Sequence, residues 1–143
     1  MTSEAASAMP DIDNPLLELL GVELSDWQPN SCALTLRVGP RHLNRRGTLQ
    51  GGVIATLLDV AAGYSGLLSA DSPVPAAAAT IMLTISYLNS VCEGEVRAVG
   101  HVTRSGRSVY FASAHLTTAD GQLLATAQGS FKRARVETAS TAP

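Results

Sequence analysis

The sequence predicts a single α+β domain in which one antiparallel β-sheet wraps around one long central helix. Three observations carry this. Gly52 to Ala70 is an extended apolar run with one charge, Asp59, long enough for a helix rather than a strand. Four strand-like segments then follow in quick succession, separated by short turns that include Ser105-Gly106 and Asp120-Gly121, which are hairpin signals. The chain has 143 residues, of which 45% are hydrophobic and only 4% aromatic, enough for one core filled mainly by aliphatic and alanine side chains. A sheet must bury its apolar face against another element, and the long helix is the natural cover.

The elements can be justified in chain order. Residues 1–13 are small, polar and acidic, and are expected to be disordered; they hold no basic region or apolar core, so no secretory signal is expected. Asn14-Pro15 offers a capping side chain followed by proline at the first helical position. Leu16, Leu17, Leu19 and Leu20 give this short helix an apolar side, and Gly21 stops it. Val22 to Trp27 reads as a first strand. Cys32 to Val38 alternates, with Cys32, Leu34, Leu36 and Val38 on one face, and Gly39-Pro40 ends it. Ser69 to Ala79 contains two prolines and reads as a connection. The four segments Thr80 to Leu88, Gly94 to Arg104, Arg107 to Thr118 and Gln122 to Arg133 are expected to form an antiparallel meander. The domain spans 14–135, and residues 136–143 read as a flexible tail.

Composition excludes several classes of function. A net charge of −2 and a pI near 5.8 oppose general nucleic-acid binding, which favours a basic surface. Gly51 to Ala70 is the only membrane-span candidate, and Asp59 and its glycines interrupt it, so a buried amphipathic helix is expected, in a cytoplasmic protein. Cys32 and Cys92 form no paired motif and read as reduced, small core residues, with no zinc site.

On a helical wheel of about 100° per residue, Gly52, Ala55, Thr56, Ala62, Gly63, Gly66 and Ala70 lie near the direction of Asp59. Val53, Ile54, Leu57, Tyr64 and Leu68 lie opposite and are expected to face the core. The small face is either a packing seam with Asp59 as a satisfied acid, or a surface for close approach by another group. Gly51 and Gly52 open the helix, where backbone N–H groups lack partners and carry partial positive charge. Eight residues along a helix is about 12 Å, so Gly51 and Asp59 of one helix cannot act on one small reacting group. If both are catalytic, two copies of the helix must meet antiparallel. That predicts an obligate symmetric homodimer with two composite sites.

The ordered set Asn44, Gln50-Gly51-Gly52 and Asp59, with six residues between Gly52 and Asp59, resembles the signature of the hotdog-fold acyl-CoA thioesterases. It is most similar to the PaaI-like and 4-hydroxybenzoyl-CoA thioesterase branch. The strand from Thr80 to Leu88 resembles the one that follows the helix there. The resemblance implies hydrolysis of an acyl-CoA thioester, with coenzyme A as part of the substrate and no separate cofactor, by a homotetramer built from dimers. The sparse aromatics and many alanines near the helix are compatible with an aryl or medium-chain acyl group, and no metal site is expected. It implies that Asp59 is the catalytic carboxylate, as nucleophile or general base, and that the Gly51 N–H polarises the thioester carbonyl. Asn44 would act near the carbonyl and Thr80 would hold the attacking water. Many PaaI-like members carry histidine where this chain has Gln50, which can donate and accept hydrogen bonds but does not titrate.

Thioester hydrolysis fits this residue set. It needs a stabilised oxyanion and a positioned nucleophile, while a thiolate leaves without a strong general acid. His42 lies in the loop near the site; His101 and His115 are expected to be ordinary strand residues. The basic residues group as Arg41/Arg45/Arg46, Arg104/Arg107 and Lys132/Arg133/Arg135. Arg104, Arg107 and Arg133 are the candidate contacts for coenzyme A phosphates, which suit guanidinium forks. Two other readings stand beside the thioesterase: a hydratase or dehydratase of the same fold, which calls for a histidine at the helix start, and a non-catalytic acyl-CoA-binding domain.

Overall fold

A computed structural model describes residues 13–72 and 74–134; the expected disordered segment, apart from Asp13, and the expected tail lie outside the described residues. The elements are α1 (Pro15–Leu20), β1 (Glu23–Gln28), β2 (Ser31–Val38), a 3-10 turn (Pro40–His42), α2 (Gly51–Ser65), β3 (Ala78–Tyr87), β4 (Gly94–Ser105), β5 (Val109–Thr118) and β6 (Leu123–Arg133). Helix α1 starts and stops as its sequence requires. The Asn14 side chain accepts from the Leu17 N–H, and Gly21 ends the helix in the left-handed region at φ 78°, where glycine carries no Cβ penalty.

All six strands form one sheet in the order β1-β2-β4-β5-β6-β3, and every pairing is antiparallel. Only part of the expected meander survives. β4, β5 and β6 are consecutive neighbours, but β3 pairs with β6 and lies at the sheet edge. The reason is that β2 occupies the place beside β4, pairing with it from Ser31↔His101 to Val38↔Gly94. The 88–93 connection therefore spans the sheet instead of making a hairpin.

Helix α2 lies across the concave face of the sheet. It is shorter than its apolar run: it ends at Ser65 with Gly66 as its C-cap. A Cβ at Gly66 would lie 2.3 Å from the Tyr110 ring, so the chain passes this point only as glycine. The buried face is Ile54, Leu57, Leu58, Ala61, Ala62 and Ser65. Ala62 and Gly66, placed by periodicity on the Asp59 side, are buried; Val53, Tyr64 and Leu68, placed on the core side, are half-buried. The cause is the curl of the sheet, which covers more of the helix than one stripe. Closest approach falls at Gly100 in β4, where an added Cβ would sit 2.1 Å from the Ala61 carbonyl oxygen.

Two aromatic layers fix the C-terminal half of α2. Trp27 stacks on Tyr64 with centroids 5.0 Å apart and donates from Nε1 to the Tyr64 carbonyl at 2.7 Å. Tyr110 stacks on Phe131 at 5.2 Å and donates its hydroxyl proton to the Gly63 carbonyl. Burial, ahead of the opposing pull of Arg133, pushes the Tyr110 phenol up to about 12. Of the cysteines, only Cys32 is a core residue: it is buried, and burial pushes its thiol up to about 12. Cys92 is exposed, because the 88–93 crossover runs over the surface.

Candidate active site

Asp59 sits on the face of α2 left uncovered by the sheet, beside Ala55, Thr56 and Gly63, and is half-buried rather than enclosed in apolar core. Its Oδ1 accepts a 2.7 Å hydrogen bond from the Thr80 hydroxyl. This joins two residues 21 positions apart in the chain, and it leaves the second carboxylate oxygen for other work. Thr80 reaches Asp59 because of a bulge. Thr80 pairs with Phe131 and Met82 with Ser130, so Ile81 is the extra residue. The bulge resets the alternation, so that Thr80, Leu83, Ile85 and Tyr87 share the face toward α2, their partners Phe131, Gly129, Ala127 and Ala125 lying on the core side of β6.

The other end of the helix holds a second cluster. Gln50 is the N-cap, and its Oε1 accepts from the Gly51 N–H at 3.2 Å. The Val53 and Ile54 N–H groups both donate to the Gln50 carbonyl. Tyr87 donates its hydroxyl proton to the Gly51 carbonyl at 3.0 Å. A cleft of about 500 Å³ opens here, with Asn44, Gly51, Ile54, Tyr87 and Leu88 among its walls. Asn44 lines it but spends its carboxamide on its own loop: Oδ1 accepts from the Arg46 and Thr48 N–H groups, and Nδ2 donates to Thr48 Oγ1. Asn44 therefore shapes the loop that presents Gly51. Tyr87 escaped sequence reasoning because a tyrosine in a strand is common, and only the fold shows that it overlies the helix start.

So Asn44, Gln50 and Gly51 come together, Asp59 and Thr80 come together, and the two groups stand at opposite ends of one helix stretch. The basic candidates separate further. Arg133 donates to the Gly106 and Gly66 carbonyls and to Ser105 Oγ, and its guanidinium lies 4.5 Å over the Tyr110 ring. It is a brace for the β4–β5 hairpin, with its fork already committed. Arg104 and Arg107 are exposed at that hairpin. His42 is structural: buried, it accepts from the Gly39 N–H at Nδ1 and donates from Nε2 to the Leu20 carbonyl. His101 and His115 lie on the outer face of the sheet beside Thr84, Ser86 and Gln128. Among the described residues, no group of three metal-ligating side chains is close enough to hold an ion. No helix there is long and apolar enough to cross a membrane.

A sheet wrapped on one helix, a hydroxyl-braced carboxylate and a glycine helix start facing a cleft define a hotdog domain with the groups that acyl transfer to water uses. The comparisons agree: residues 46–125 match the Thioesterase superfamily, and the chain belongs to it. It is 30% identical over 124 residues to human acyl-coenzyme A thioesterase 13, covering 85% of this chain and 86% of that protein. The solved structure of zebra fish thioesterase superfamily member 2 superposes with a TM-score of 0.74 at 27% identity, over 85% of this chain and 88% of that one. The Escherichia coli PaaI protein of the phenylacetic acid degradation operon shares the fold, with a TM-score of 0.76 at 18% identity and 86% of each chain covered. The chain is a thioesterase, an enzyme that hydrolyses thioesters.

Proposed function

We propose that the substrate is an aryl or medium-chain acyl-CoA, and that each site combines Gly51 of one copy with Asp59 and Thr80 of a second. The observation that carries this reading is the edge strand β3. Its outer edge is unpaired, yet Ile81, Met82 and Tyr87 leave more than half of their surface exposed, an unprotected apolar edge of the kind that pairs with another chain. Thr80 on this strand touches Asp59, and Tyr87 touches Gly51. If two β3 edges pair antiparallel with Thr80 opposite Tyr87, each Asp59 is brought toward the partner's Gly51. The twofold axis then falls between Leu83 and Thr84. A single chain keeps these groups about 12 Å apart, beyond the contact of about 3–3.5 Å that reaction requires.

In this arrangement the thioester carbonyl displaces Gln50 Oε1 and takes the Gly51 N–H. Asp59 acts as general base through its free oxygen, and Thr80, whose proton is given to Asp59, offers its lone pairs to the same water. Water attacks the carbonyl carbon, Asp59 takes its proton, and the C–S bond breaks. The thiolate of coenzyme A departs with the electron pair, leaving the free acid.

The test is a thiol-release assay over benzoyl-CoA, octanoyl-CoA and related thioesters, with Asp59→Ala folding normally and losing turnover. Unchanged turnover in that variant refutes the catalytic assignment. A single turnover in ¹⁸O-water should place the label in the product acid; label held on Asp59 instead would show a nucleophilic carboxylate.

A further inference from the structure

We infer that Arg45 and Arg46 form the docking site for the phosphates of the coenzyme A moiety. The inference rests on the acyl-CoA reading above and names a subsite that reading leaves open. A second cleft of about 490 Å³, lined by Asn44, Arg45, Arg46 and Gln50, adjoins the one that contains Gly51, and Asn44 is a wall of both. A thioester at Gly51 and a pyrophosphate at the arginines would thus lie in connected space, with the pantetheine arm as the chemical spacer.

The arginines are presented by a fixed loop. Asn44 Oδ1 holds the Arg46 and Thr48 N–H groups at 2.9 and 3.1 Å, and the Asn44 N–H donates to the Thr48 carbonyl at 2.8 Å. Gly47 makes the turn at φ 81°. Both arginines are exposed, so the backbone that carries them is held while their forks stay open. The loop segment itself carries no acid, since none occurs between Asp26 and Asp59, and the N-terminus of α2 adds its partial positive charge. Exposed arginine forks in such a setting suit phosphate oxygens, which they can grip with two parallel hydrogen bonds. Arg133 cannot serve in the same way, because its donors are spent on Gly66, Ser105 and Gly106.

The double variant Arg45→Ala/Arg46→Ala should lose about tenfold or more in kcat/KM for benzoyl-CoA and octanoyl-CoA. Activity on the benzoyl thioester of N-acetylcysteamine, which keeps the reacting bond and lacks the phosphates, should stay at the wild-type level. Calorimetry with free coenzyme A should show the same loss of affinity, and pantetheine should bind both proteins alike. The inference is overturned if coenzyme A binds the double variant as tightly as the wild type, or binds neither. It is equally overturned if both thioester types lose activity together, or if the loss belongs to Arg104→Ala/Arg107→Ala instead. Failure of the acyl-CoA reading would look different: the wild type would hydrolyse none of the CoA thioesters, while calorimetry would still report on the arginine pair.

Discussion

Two inactive variants should restore each other. In Gly51→Pro the backbone donor is deleted with little other change. The position is the first of helix α2, where proline is tolerated, and Gln50 before it has φ −61° and ψ 133°, the extended region that a residue preceding proline favours. The nearest atoms to a Cβ at Gly51 would be those of the Tyr87 side chain, at 3.5–3.7 Å, an ordinary contact. Loss of one oxyanion donor costs about 10²–10³ in turnover, and Asp59→Ala removes the carboxylate. In a heterodimer of the two, one site draws intact Gly51 from the Asp59→Ala chain and intact Asp59 from the Gly51→Pro chain. The other site carries both lesions. Random pairing of an equal mixture makes half of the dimers mixed, each with one of two sites intact, so about a quarter of wild-type activity should return. The assay is thiol release after co-refolding, with each variant refolded alone as the control. No recovery from a mixture shown to contain heterodimers would refute the shared site.

Gln50→Ala should raise kcat/KM about two- to tenfold, since the substrate would no longer displace a hydrogen bond of modest net strength; a comparable fall would show that the carboxamide assists the reaction itself. Gly100→Ala should destabilise the fold by about 3 kcal/mol in denaturant titration, because its Cβ has no room beside Ala61; a change within error would mean that α2 packs more loosely on β4. The His115 imidazole is held below its ordinary value of 6.5 by burial first, then by His101 and Arg97. A folded-state value below the unfolded one means that the unfolded chain takes up the proton first. Stability should therefore fall as pH drops below about 6.5, and His115→Gln should flatten that dependence in urea midpoints measured across the range.

Much of the site was legible before any coordinates, through local chemistry. Asn14-Pro15 and Gly21 define α1, the apolar run defines α2, and the spacing of Gly51 and Asp59 along a helix already argues that they cannot meet within one chain. Element ends failed where a tertiary neighbour decided them, as at Gly66 under Tyr110. The wheel failed at Ala62 because it assumes one buried stripe, whereas the curled sheet buries a wider arc. Cys92 was misread because a small apolar residue carries no mark of the crossover it lies on. Arg133 was read as a candidate phosphate ligand on charge alone, whereas its partners are the Gly66 and Gly106 carbonyls, Ser105 Oγ and the Tyr110 ring, which no sequence pattern announces.

The sequence by itself determined the helices, the strand count and the set of candidate groups for the site, because each depends on residues within a few positions of one another. Only the tertiary structure decided that β3 leaves the expected meander for the far edge, and that a bulge at Ile81 turns Thr80 toward Asp59. It also decided that Tyr87 overlies Gly51 and that the Gln50 carboxamide oxygen accepts from the Gly51 N–H. The physical reason is that strand order and bulges are chosen by the packing of the whole sheet on the helix, and hydrogen-bond partners distant in sequence exist only once that packing has been made.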